Sequence, residues 1–257
     1  MKGNRSGRPS FGPWKKRWAK FWMHFAGRGA VGRCAARFAS WSAPPHKERI
    51  VLAKMNSQGY IEPTATIYHD DLRLGKHCFI GDRVLVFQKK EGGPVELGDG
   101  VYIYRDTTIE TDLGGSLSIG AGSSIHPRCQ INAFVEPIRI GSGVMIAPNC
   151  ALYSYNHGIA PDQPIRKQPL ESNGPIVIDD EAWLGVGVTV LSGVRIGKGA
   201  VIGAGSLVAT DIPDGAIAVG MPARVVKMRS DLVLAEPRTV KAGGAKMEKV
   251  AFSADEG

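Results

Sequence analysis

Residues 178–213 read IDDEAW, LGVGVT, VLSGVR, IGKGAV, IGAGSL, VATDIP: blocks of six, each opened by Ile, Leu or Val. The same phase runs upstream. From Leu97 come LGDGVY and IYRDTT; from Ile119, IGAGSS, IHPRCQ and INAFVE; from Ile140, IGSGVM, IAPNCA and LYSYNH. Glycine often stands second. The fifth position is small or aliphatic, as at Val101, Ser123, Val144, Ala182, Val188, Ala200 and Ser206. The anchors group in threes: 97/103/109, 119/125/131, 140/146/152, 178/184/190 and 196/202/208, with an earlier set at Leu74, Ile80 and Val86 preceded by Ile61 and Ile67. Self-similarity at a fixed period marks a solenoid. Three hexads make an 18-residue coil of three short strands, and each coil stacks its aliphatics on the next. About six coils at ~4.8 Å each give a prism roughly 30 Å long. A sandwich would alternate with irregular turn spacing. The expected fold is therefore all-β, a parallel β-helix.

The repeat explains three of the four cysteines. Cys78, Cys129 and Cys150 fall at the fifth, inward position of their hexads and read as buried thiols; Cys34 lies outside the repeat. There is no CxxC, and a reduced setting is the default.

Charge divides the chain. The net charge is +8, but residues 1–45 hold ten Lys/Arg and no acid, leaving 22 basic and 24 acidic residues beyond them. The repeat region is thus near neutral, which argues against a nucleic-acid-binding fold. No uncharged apolar run reaches the ~18 residues of a membrane span. The apolar patch after Lys20 is broken by His24, Arg28 and Arg33, so a secretory signal is not expected. Within the arm, Trp14, Trp18, Phe21, Trp22 and Phe25 recur at helical spacing with Lys15, Lys16, Arg17 and Lys20 on other faces. That pattern suits a basic amphipathic helix on an anionic membrane, or one packed on the prism. The chain divides into a basic aromatic arm (1–45), a β-helix domain (46–230) and a weakly ordered tail (231–257).

Function tends to sit where a repeat is broken. Modest breaks fall at 87–96, 113–118 and 136–139. The largest separates Leu152 from Ile178 and extrudes a polar, Pro-rich loop over 158–175. At its mouth stand Asn156 and His157. A corner histidine is held rigidly yet open to substrate, and an imidazole pKa near 6.5 suits a general base.

The repeat resembles the hexapeptide-repeat left-handed β-helix family, and the handedness is implied by that resemblance alone. The words IGSGVMIAPN, YNHG, PIRKQPL and the run from Trp183 to Lys227 are similar to those of its sugar and polysaccharide O-acetyltransferases, the loop words most of all to exopolysaccharide- and lipopolysaccharide-modifying members. The resemblance implies transfer of an acetyl or other acyl group from acyl-CoA to a saccharide or glycolipid hydroxyl, with His157 as general base and Asn156 beside the acceptor. It implies an oxyanion-stabilising N–H at Gly185–Val186, with Trp183 lining the pantetheine tunnel. Gly203 and Ala204 would meet the pantetheine amides, and Arg224 and Lys227 the nucleotide phosphates. A Thr-Lys pair usual in the family is Ala209-Thr210 here, so one phosphate-facing cation is missing. Where small-sugar members place an acceptor Asn, this chain has His126, which would bind the acceptor, assist His157 or be a plain surface residue. The resemblance further implies a homotrimer, no metal and a cytoplasmic enzyme, with peripheral membrane contact through residues 11–25 left open. N-acyl transfer to an amino sugar is the alternative. A γ-class carbonic anhydrase would need a His-x4-His pair that His69, His77, His126 and His157 do not offer.

Overall fold

A computed structural model describes residues 12–27, 29–43 and 45–232. Three sheets wall a prism: nine strands starting at Tyr60–Ile61, seven starting at Thr66–Tyr68, and six starting at Leu72–Leu74. Their parallel ladders put anchor over anchor, Ile103, Ile125, Ile146, Leu184 and Ile202 on the first wall, and Ile109, Ile131, Leu152, Val190 and Val208 on the second. The third wall aligns Leu97, Ile119, Ile140, Ile178 and Ile196. All are buried in one continuous core. This β-solenoid of about seven turns is consistent with the left-handed β-helix that the resemblance implies, the first turn being the partial one anchored by Ile61 and Ile67. Each buried Ile or Leu contributes roughly 1.5–3 kcal/mol, so the stack of anchors dominates the fold's stability.

The hexad has a second requirement. Its fourth residue turns the corner with positive φ, as in Gly187 (φ 72°), and Asp106, Arg128, Asn149 and Glu181 adopt the same conformation without being glycine. Second-position glycines serve a different need. A Cβ on Gly185 would lie 2.7 Å from the Ala204 nitrogen of the next coil. The abundance of glycine, 33 residues, follows from these two corner demands.

Cys78, Cys129 and Cys150 are buried where the period puts them, and their thiols donate to the carbonyls of Gly98, Ala147 and Gly185. The Cys150 thiol and burial both push the Cys129 thiol far above its usual range, which keeps it protonated and inert.

At the C-terminal end, Ala216–Gly220 pairs antiparallel with Ala223–Met228, which closes the edge of the nine-stranded sheet. Residues 233–257, most of the expected tail, lie outside the described residues, as do residues 1–11 of the arm.

The arm is helical. α1 (Pro13–Met23) and α2 (Ala30–Ser40) pack on each other, and a short turn of 3-10 helix at His46–Arg49 and a helical turn at Ile50–Ala53 carry the chain to the first strand. Ala19, Met23, Ala36, Ala39 and Leu52 cover Tyr60, Phe79 and Tyr104 on the outside of the nine-stranded sheet. Arg33 ties α2 to the prism through the carbonyls of Pro63 and Ala65, both at 2.8 Å. The aromatic stripe of α1 lies beside this buried stripe. Trp22 stacks on Phe38 of α2, whereas Trp14 (71% exposed), Phe21 and Phe25 face outward. Among the described residues, no helix is long and apolar enough to cross a membrane.

Candidate functional site

The repeat sorts the expected site residues onto two edges of the prism. All four interruptions follow strands of the seven-stranded sheet, so they stack along the edge that leads to the six-stranded sheet, the loop edge. The edge between the nine- and seven-stranded sheets carries no insertion and is termed the smooth edge.

His157 belongs to the loop edge. Asn156–His157 forms a two-stranded antiparallel ribbon with Leu170–Glu171, with His157 opposite Leu170. The ribbon is pinned at both ends. Asn156 Nδ2 donates to Ser192 Oγ at 2.9 Å, and Gly158 N–H donates to the Pro169 carbonyl at 3.1 Å. Buried Ser154 accepts from the Phe134 N–H (3.0 Å), and Ser172 Oγ donates to the Ser154 carbonyl (2.6 Å). Beyond the ribbon, Gln168 clamps the extruded loop, accepting from Ala160 N–H and donating to the carbonyls of Ala160 and Gln163 at 2.8–2.9 Å. The His157 ring is exposed, 6.5 Å from that of Tyr155, and among the described residues neither ring nitrogen has a hydrogen-bond partner. A rigid backbone therefore presents a free imidazole to solvent. Half of the Asn156 amide is already committed to Ser192.

The smooth edge is a column of second-position residues. Gly81, Tyr104, His126, Ala147, Gly185 and Gly203 each donate their N–H to the anchor carbonyl of the following coil at 2.8–2.9 Å. This ladder assigns the backbone groups. The Gly185 N–H is spent on Ile202, and its carbonyl accepts the Cys150 thiol. Of the pair Gly185–Val186, only the Val186 N–H lacks a backbone acceptor among the described residues. Gly203 N–H is likewise spent on Ala218, while the Ala204 N–H has no hydrogen-bond partner among the described residues. Trp183 begins the strand leading to this edge and is 47% exposed between Met145 and Val201.

Arg224 and Lys227 lie on the closing strand. Three positions apart, they would face opposite sides of a regular strand. The ladder shifts register there, pairing Ile217 with Lys227 and Ala218 with Val225, so Val226 is the extra residue of a β-bulge. The bulge resets the alternation and sets both cations opposite the outward-facing Ile217 and Val219. Both are exposed.

His126 is half-buried at the smooth edge, its ring 4.8 Å from that of Tyr104. Burial, then the charges of Lys47 and His46, hold its pKa below the usual value. Within one chain it stands at a different corner from His157. Among the described residues, no three His, Cys, Asp or Glu side chains converge as a metal-ligand set. The period did not single out Ser154, Ser192 or Gln168, which fix the His157 ribbon; Gln168 was visible only as a letter in PIRKQPL.

Residues 175–210 match the family model described as bacterial transferase hexapeptide (six repeats). Over 159 residues the chain is 35% identical to the galactoside O-acetyltransferase of Lactococcus lactis subsp. lactis (strain IL1403), covering 62% of this chain and 63% of that protein. Over 103 residues it is 37% identical to the putative lipopolysaccharide biosynthesis O-acetyl transferase WbbJ of Escherichia coli (strain K12), covering 37% of this chain and 52% of that protein. The chain thus spans between half and just under two thirds of the length of these relatives. Among solved structures, the polySia specific acetyltransferase NeuO aligns with a TM-score of 0.45 at 22% identity, over 68% of this chain and 88% of that one.

Proposed function

We propose that this hexapeptide-repeat chain is an acyl-CoA-dependent O-acyltransferase that moves an acetyl or other acyl group to a hydroxyl of a saccharide or glycolipid, in exopolysaccharide or lipopolysaccharide biosynthesis. The observation that carries the reading is His157, an unpartnered imidazole on a ribbon pinned by Ser192 and Gly158. The names of the two relatives, both O-acetyltransferases, support the reaction class.

His157 takes the proton of the acceptor hydroxyl as its oxygen attacks the thioester carbonyl. The tetrahedral oxyanion is met by the Val186 N–H, the donor of that corner left over by the ladder. Collapse breaks the carbon–sulfur bond, and the departing thiolate recovers the proton from His157. Both substrates react directly, so the rate comes from placement and from that fixed donor. The acyl-CoA arm lies along the smooth edge. The unpaired amide of Ala204 meets pantetheine, and Arg224 with Lys227 meets the phosphates. His157 and this groove occupy different edges, so the working unit in this reading is a homotrimer in which one copy's histidine meets its neighbour's groove. Use of acyl-CoA sets the reaction in the cytoplasm. Outward Trp14, Phe21 and Phe25, among Lys15, Lys16, Arg17 and Lys20, hold the enzyme against an anionic membrane surface.

Thiol release from acetyl-CoA, measured with hydroxyl-only and amino-sugar acceptors, tests the reaction. His157→Ala is expected to lower turnover about 10²- to 10⁴-fold with the assembly intact; near-full turnover removes His157 from the mechanism. Co-sedimentation with vesicles tests the surface. Trp14→Ser/Phe21→Ser is expected to cut binding to anionic vesicles about tenfold, and equal binding by both proteins removes the membrane contact.

A further inference from the structure

A cavity of about 540 Å³ opens between α2, the His46–Arg49 turn and the first coils of the prism. That volume falls within the ordinary range for small-molecule sites. Its floor includes Gly81 and Tyr104, members of the smooth-edge column that leads to His126, Ala147 and Gly185. Tyr104 lies three coils from Gly185, roughly 14 Å at ~4.8 Å per coil. The cavity therefore borders the same edge that carries Gly185 and Gly203.

The charges of the cavity are unevenly matched. Arg49, in its wall, pairs with buried Glu62 at 2.5 Å, and Arg105 pairs with Asp106 at 2.8 Å. Asp82 in turn is engaged by Arg83 at 2.5 Å. Two cations remain. Arg37 lines the cavity, and Lys47 stands at its rim with Nζ 5.5 Å from the Tyr104 ring centroid. Neither has a carboxylate partner among the described residues, and both are exposed. The surplus is felt by two histidines. Burial, the largest cause, lowers the pKa of His46 and of His126; the cation Lys47 lowers both further, and Arg105 also acts on His46. Arg49 Nε is buried without a hydrogen-bond partner among the described residues, so its donor fork is only partly used. Phe79 and Tyr104, both buried, form the apolar back of the cavity, so its polar side chains are the groups left to meet a ligand.

We propose that this cavity binds an anionic group, phosphate or carboxylate, of the saccharide acceptor, with Arg37 and Lys47 as the cations that meet it. The inference rests on the acyltransferase reading for the identity of the ligand as acceptor. The distance to Gly185 further requires that the anion and the acylated hydroxyl belong to different parts of the acceptor. Arg37 is carried by α2, so the basic arm then acts as the acceptor-selecting wall of the enzyme as well as a surface anchor.

Equilibrium binding by calorimetry, on the full chain without acyl-CoA, tests this with four probes: a hexose 1-phosphate, a hexuronic acid, a neutral hexose and inorganic phosphate. One of the two anionic sugars is expected to bind at least about tenfold tighter than both the neutral hexose and inorganic phosphate. The better of the two identifies the anion. Arg37→Gln and Lys47→Gln should each weaken it about five- to tenfold, while Lys54→Gln, a surface cation outside the cavity, leaves it unchanged. Four results overturn the proposal: no saturable binding, equal binding of the neutral hexose, inorganic phosphate binding as tightly as the sugar phosphate, or indifference to both Gln variants. Because no acyl donor is present, these results are independent of the His157→Ala turnover test, and either reading can fail without the other.

Discussion

The two working edges of the prism are built from the same hexad and differ in what the corner is allowed to do. Along the smooth edge every coil turns in register, and an unbroken row of second-position amides runs from Glu62 to Gly203. Along the loop edge the four insertions leave the stack, and the longest returns as the Asn156–His157 ribbon. A corner lies outside the ladders, so it accepts extra residues without disturbing the core, whereas a long flexible substrate needs a corner that stays narrow over several coils. In the proposed mechanism regularity makes the donor groove and irregularity presents the base. Within one chain the seven-stranded sheet separates the two edges, so the proposed mechanism draws on two copies. The sharpest way to break this comparison is to mix copies. His157→Ala disables the loop edge and Ala204→Phe obstructs the smooth edge at an exposed residue, so each protein alone should be inactive. Co-assembled at random in equal amounts, they should recover about a quarter of wild-type turnover, the share of sites that draws an intact half from each copy. If the mixture stays at the background of the single variants, each chain carries a complete site and the two-edge division fails.

The smooth edge is sharpened by its far end. Arg224 and Lys227 reach the same face only through the bulge at Val226. Arg224→Gln or Lys227→Gln is expected to raise KM for acyl-CoA about tenfold with kcat held, since a phosphate contact far from the thioester serves ground and transition states alike. Steady-state kinetics separates the two parameters. A fall in kcat at unchanged KM would move these cations out of the donor groove.

The residues differ in how much of this could be read beforehand. Anchor triplets such as 119/125/131 were legible because each coil repeats one buried pattern, and a slip of one residue would have exposed every Ile. His157 was legible as the mouth of the one long interruption. The ladder that consumes the Gly185 and Gly203 amides was not, since letters do not say which N–H a neighbouring coil uses. Nor was the shared face of Arg224 and Lys227, because the bulge arises from pairing with Ile217 and Ala218 rather than from the local word PARVVK. The helical arm was read as amphipathic, but the stripe it buries is that of Ala19 and Met23 rather than the aromatic one. Aromatic spacing hides that. The cation cavity joins Arg37 to Tyr104 across 67 positions, with no period linking them.

The smallest effect expected concerns the corner rule that both edges share. Gly187 and Glu181 occupy the fourth position of consecutive hexads with φ of 72° and 60°. Nothing lies within 4 Å of a Cβ built on Gly187, so Gly187→Ala meets no clash. What it meets is the left-handed backbone itself, which costs an L-residue roughly 1–2 kcal/mol. Glu181 already bears that cost, and its exposed carboxylate makes no ion pair among the described residues. Glycine gives up about 0.5–1 kcal/mol more chain entropy on folding, and this offsets both changes alike, so Gly187→Ala should destabilise and Glu181→Gly stabilise by a similar net amount of about 0.5–1 kcal/mol. Unfolding midpoints of the two variants, measured against wild type, should move in opposite directions by similar amounts. Shifts of the same sign would mean that the left-handed corner is not what sets the glycine pattern, and that the close stacking seen at Gly185 carries it instead.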